Sequence, residues 1–162
     1  MVGAVVTDVA ATSFQGVEGT VWYMSSVVKL VGPLVAWSVF VWGSRLCNIW
    51  TADDLWTNGQ ILRTVFAGIF LALGCAMGWR LWARRGRALE QSTQRLLMVL
   101  IIWTVGFWLV RGIGIMVDDH TLGFTVVHTV LMVISIGLAV IASRALNAAN
   151  LGSISSSRAV AR

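Results

Sequence analysis

Four long apolar stretches separated by short polar clusters organise this chain. They run from about Val21 to Trp50, Ile61 to Trp82, Leu96 to Val117 and Leu122 to Leu146. Inside them the apolar residues are continuous, as in ILRTVFAGIFLALGCAMGWRLW of the second and LLMVLIIWTVGFWLV of the third. About 20 such residues cross the hydrocarbon of a bilayer as a helix. A membrane barrel would instead need many segments of about ten residues with strict alternation, and that pattern is missing. The fold class expected is all-α integral membrane, with four transmembrane helices.

The flanks differ from the spans. In residues 1–20, Val2, Val5, Val6, Val9, Phe14 and Val17 recur at loosely helical spacing, which predicts an amphipathic or interfacial segment. It does not read as a signal peptide, because an early basic region is missing and Asp8 interrupts the apolar run. Residues 21–147 form the transmembrane domain, and residues 148–162 a polar, basic C-terminal tail.

Composition agrees with lipid as the solvent. The chain is 57% hydrophobic and 12% charged, against about a quarter charged in soluble domains, and its mean hydropathy is +0.81. The net charge of +5 raises the question of nucleic acid. The basic residues do not form one patch, however, so no nucleic-acid role is expected. They punctuate the spans as Lys29/Arg45, Arg63/Arg80, Arg95/Arg111 and His128/Arg144, at separations of 16, 17, 16 and 16 residues. On a helix that is about 24–26 Å, a spacing from which basic side chains reach the headgroups. The connection around Arg80, Arg84, Arg85, Arg87 and Arg95 is the most basic. By the bias of basic residues toward the cytoplasm, both termini and this central loop are expected there. The loops bearing Asp53, Asp54 and Asp118, Asp119 are expected on the opposite side. Cys47 and Cys75 fall at different depths, so they are expected to be unbridged and buried.

An internal repeat is the most informative feature. Trp37, Val39, Trp42 and Arg45 recur as Trp103, Val105, Trp108 and Arg111 at an offset of 66. After a one-residue deletion Asp53-Asp54 falls on Asp118-Asp119, and at offset 65 Ile61–Val65 falls on Val126–Val130, placing Arg63 on His128. Two tandem, same-orientation helical hairpins follow, repeat one at about 29–84 and repeat two at about 95–147. Such repeats are related by an axis along the membrane normal.

Small residues mark where helices approach closely in lipid. Gly68, Ala72, Gly74, Ala76 and Gly78 in span two, with Ser135, Ala139 and Ser143 in span four, form the expected helix-packing face. It predicts spans two and four as an inner pair, or as contacts to neighbouring subunits. Trp37, Trp42, Trp103 and Trp108 lie within their spans and are expected to pack between helices. Trp50, Trp56, Trp79 and Trp82 suit the interface belt.

Charges inside lipid need partners. Arg45 and Arg111 lie about one turn inside their spans, each followed by an Asp pair and then by Arg63 or His128. An outer charge clasp of Arg45, Asp53, Asp54, Arg63, Arg111, Asp118, Asp119 and His128 is the expected reading. A cation site would need surplus negative charge, and the ligand sets of metal or catalytic centres are missing. No catalytic residue, metal or cofactor is therefore expected, and the two histidines do not suit a haem. The partners expected are the lipid bilayer and copies of the chain or other membrane subunits. The function expected is a non-enzymatic membrane subunit of a larger complex. The alternative is a homo-oligomeric, holin-like pore or a small channel or transporter subunit.

Overall fold

The computed structural model describes residues 28–51, 57–84 and 89–160. The segment 1–20, the Asp53–Asp54 pair and Trp56 lie outside the described residues. The described residues form four helices: α1 (Val28–Thr51), α2 (Thr57–Ala83), α3 (Gln91–Val117) and α4 (Leu122–Val160). Each is long and apolar enough to span a membrane, and the described residues contain no strand. α3 begins five residues before its apolar run, at Gln91. Glu90, in extended conformation, accepts the backbone N–H groups of Thr93 and Gln94 at 2.8 and 3.0 Å. The apolar part of α4 ends at Ala148, but the helix runs on through the polar tail to Val160.

The helices alternate in direction. Val31, Leu34 and Val35 near the start of α1 share one buried cluster with Met77 and Leu81 near the end of α2. Leu97, Leu100 and Ile101 from the start of α3, and Ala139, Ala142 and Leu146 from the later part of α4, complete it. A second cluster at the other level is aromatic. Trp42 stacks on Phe70 at 4.1 Å and meets the edge of Phe107 at 4.9 Å, while Phe66 and Phe70 each lie 6.1 Å from Trp103. Offset and edge-to-face pairs of this kind contribute about 0.5–1.5 kcal/mol each beyond area burial. Side chains from all four helices thus fill the interior at both levels.

Neighbours around the bundle follow chain order. α3 packs on both α2 and α4, whereas among the described residues the Cα traces of α2 and α4 do not approach within 8 Å. α1 closes the ring. Its Ser38 and Val39 pack on Gly74 and its Val35 on Gly78 of α2, and its Trp37 Nε1 donates to Ser135 Oγ of α4 at 2.9 Å. Spans two and four are therefore diagonal and not an inner pair. Each lies instead between two antiparallel neighbours.

The small residues divide by helical phase. A Cβ added at Gly74 would meet Val39 Cγ2 at 3.1 Å, and one at Gly78 would meet Val35 Cγ1 at 3.3 Å. These two glycines permit the close approach of α1. Ser135 and Ala139 are buried and Ser143 is half-buried. Gly68, Ala72 and Ala76 are exposed, and nothing lies within 4 Å of a Cβ at Gly68. At about 100° per residue, Gly74 stands about 240° around the helix from Gly68, so one face cannot hold both. Cys47 and Cys75 are unbridged, as expected, but exposed and not buried. In a bilayer an outward thiol meets acyl chains, so its apolar character needs no protein core.

Candidate functional site

Of the polar residues singled out in the sequence, Arg45, Arg63, Arg111, Asp118, Asp119 and His128 are described, and they lie at the end of the bundle where α1 and α3 finish and α2 and α4 begin. Arg45 lies near the end of α1, and its Nη2 is 2.9 Å from Nε2 of His128 in α4. The other ring nitrogen, Nδ1, is 2.8 Å from the carbonyl oxygen of Phe124, one turn earlier in the same helix. A carbonyl can only accept, so Nδ1 carries the proton and donates. A guanidinium can only donate, so Nε2 accepts from Arg45. Both contacts together require a neutral imidazole in the Nδ1–H form. His128 is 8% exposed, which makes this a buried polar tie between α1 and α4.

Aromatic rings extend the tie in both directions. The Arg45 guanidinium carbon stands 5.7 Å from the centre of the Trp42 ring, the ring that stacks on Phe70 in the core. The Phe124 ring lies 3.8 Å from the His128 ring, with His120 at 4.5 Å from Phe124. Arg111 of α3 places its guanidinium carbon 5.5 Å from the same Phe124 ring. Cation–π contacts within about 6 Å are attractive, the more so when desolvated. Arg111 and Arg63 repel Arg45 electrostatically, so among the described residues three arginines gather with His128 at this end of the bundle.

The proposed clasp is thus only partly represented. Arg45 and His128 meet directly, a pairing that joins α1 to α4 and not two groups of successive helices. Asp118 and Asp119 are exposed, and among the described residues neither forms an ion pair with Arg111. Asp53 and Asp54 lie outside the described residues. The ion pair present among the described residues is Arg84–Glu90 at the opposite end, joined there by Arg80 Nη1 donating to Ser92 Oγ at 2.8 Å. Among the described residues no group of three or more His, Cys, Asp or Glu converges as a metal site would require.

The inner tryptophans pack between helices as their positions within the spans indicate. Trp42 and Trp108 are buried at 4% and 1% exposure, and Trp37 and Trp103 are half-buried. Trp50, Trp79 and Trp82 are exposed. The tryptophans aligned at offset 66 have different partners. Trp37 hydrogen-bonds Ser135, and the residue equivalent to Ser135 at offset 65 is Phe70. Trp103 accordingly contacts the Phe70 ring, and its buried Nε1 finds no acceptor. The same correspondence pairs Arg45–His128 with Arg111–Arg63, where two cations cannot form a hydrogen bond. The register of the repeat therefore carried this information, once α1 is known to neighbour α4. No family model, curated protein or solved structure matches the chain.

Proposed function

We propose that the chain is a non-enzymatic membrane subunit that assembles with copies of itself or with other membrane proteins. The observation that carries this reading is the filled interior. The aliphatic cluster at one level and the Trp42–Phe70–Phe107 cluster at the other leave the polar residues to tie helices together. A bundle packed in this way is suited to a scaffold, and conduction would require several chains around a shared axis. The exposed side of α2 bearing Gly68, Ala72 and Ala76 offers the smooth surface on which another helix packs closely in lipid.

Two further elements belong to this reading. The chain is a tandem duplication of a helical hairpin, supported by the equivalence of Trp37–Ser135 with Trp103–Phe70. Both termini and the arginine-rich central connection face the cytoplasm, supported by the distribution of basic residues. The runner-up is a homo-oligomeric pore, favoured by the gathering of Arg45, Arg63 and Arg111 at one end, where a ring of copies would place cations at its mouth.

The test is purification in mild detergent, followed by mass determination of the particle and its companions. A fixed stoichiometric assembly that leaves membrane potential intact on expression supports the subunit. A homo-oligomer that dissipates the potential supports the pore, and a monodisperse monomer under all mild conditions refutes both.

A further inference from the structure

We infer that the Arg45–His128 contact is a proton-operated latch between α1 and α4. The argument starts from hydrogen-bond valence. His128 holds two contacts of fixed direction at once, Nδ1–H donating to Phe124 O at 2.8 Å and Nε2 accepting from Arg45 Nη2 at 2.9 Å. Only the neutral Nδ1–H imidazole satisfies both. A proton added at Nε2 removes the lone pair that Arg45 uses, converts both nitrogens to donors and sets a second positive charge against the guanidinium. The contact then changes from attraction to repulsion with no other residue moving.

Among the described residues, the charged neighbours would repel a protonated ring. Arg45 faces His128 from α1, Arg111 from α3 and His120 from the α3–α4 connection, and Arg63 of α2 acts on Arg45. Three of the four are arginines. Asp118 and Asp119 are the described carboxylates at this end; both are exposed, and neither pairs with these cations. The arginines have no acid–base response of their own in this range, so His128 is the group at the contact whose charge can change. Its proton comes from, and returns to, the aqueous phase at that end of the bundle.

The latch also has a defined range of action. Beyond Trp42 the aromatic cluster holds α1 against α2 and α3, and Gly74 and Gly78 hold it against α2 at close range. Protonation therefore loosens the α1–α4 seam at the His128 end and leaves the opposite end packed. A two-state element of this kind is what a pH-sensing membrane protein needs.

The chain contains two histidines, which makes nitrogen-15 NMR of histidine-labelled protein in bilayers a direct assay. In neutral solution His128 is expected with Nδ1 protonated and Nε2 bare. On acidification it becomes doubly protonated, and contacts between the Arg45 guanidinium and the ring disappear. His128→Asn keeps an acceptor that does not titrate, so its α1–α4 seam should stay closed across the range, while His120→Asn should behave as wild type. The inference is overturned if His128 is the Nε2–H tautomer in neutral solution, or if it stays neutral at every pH at which the bundle remains folded. It is equally overturned if the ring protonates with the Arg45 contact intact, or if His128→Asn retains the wild-type acid response.

Discussion

Replacing Trp42 by Ala tests whether the aromatic cluster is the structural centre of the bundle. Trp42 is 4% exposed, stacks on Phe70 at 4.1 Å, meets Phe107 at 4.9 Å and lies 5.7 Å from the Arg45 guanidinium carbon. In a water-soluble core such a truncation costs about 3–5 kcal/mol. A separated membrane helix still faces acyl chains, so most of the transfer part of that figure falls away. Two aromatic pairs at about 0.5–1.5 kcal/mol each and a cation–π contact of about 0.5–1 kcal/mol remain. The expected loss is therefore about 1.5–4 kcal/mol. Trp50 is the control, being 66% exposed, and Trp50→Ala should stay within about 0.5 kcal/mol of wild type. Reversible unfolding of both variants in mixed micelles, followed by circular dichroism, gives the comparison. Equal losses at the two positions would refute the reasoning, since they would mean that the interior and the lipid-facing surface contribute alike.

Three further outcomes follow from particular contacts. Ser135→Ala removes the acceptor of Trp37 Nε1 and should cost about 0.6 kcal/mol, the average for interhelical hydrogen bonds in membranes; a double-mutant cycle with Trp37→Phe should show that the two losses are not additive. Gly74→Leu drives a side chain into Val39 and should cost at least about 1–3 kcal/mol, whereas Gly68→Leu, with nothing nearby, should leave unfolding of the isolated chain unchanged and reduce only its assembly. In a background lacking Cys47 and Cys75, cysteine placed at Asp119 should react with an impermeant maleimide from the non-cytoplasmic side; labelling from the cytoplasmic side would reverse the proposed orientation.

Much of the fold was legible because lipid imposes a simple rule. A spanning backbone must be helical, so the length and continuity of apolar runs located all four helices, and the third ended at Val117 as its hydropathy required. The depth of Trp42 and Trp108 likewise marked them as packed between helices. What hydropathy does not carry is neighbourhood. Arg45 was recognisable as a charge needing a partner, and the nearest carboxylates in sequence were the natural candidates. Its partner, His128, stands 83 positions away, and nothing in a run of apolar residues says which helix lies beside which. The division of the small residues was available in principle. Counting helical phase from Gly68 to Gly74 separates the exposed stripe from the glycines that receive α1, a distinction that four-residue spacing alone obscures. The missing acceptor of Trp103 was also latent in the sequence alignment, since Phe70 falls opposite Ser135 at offset 65.

The closed ring, with α1 seated between α2 and α4, is the claim on which the rest depends. It is tested most directly by cysteine cross-linking in lipid, in a background lacking Cys47 and Cys75, with a short bifunctional thiol reagent. Cysteines at Trp37 and Ser135 report the α1–α4 seam, and cysteines at Val35 and Gly78 report α1–α2. Cross-links within one chain for both pairs, and none between cysteines at Ala72 and Ala139 on the diagonal helices, are the predicted result. Cross-links of the first pair only between chains, or an intrachain link between α2 and α4, would contradict it.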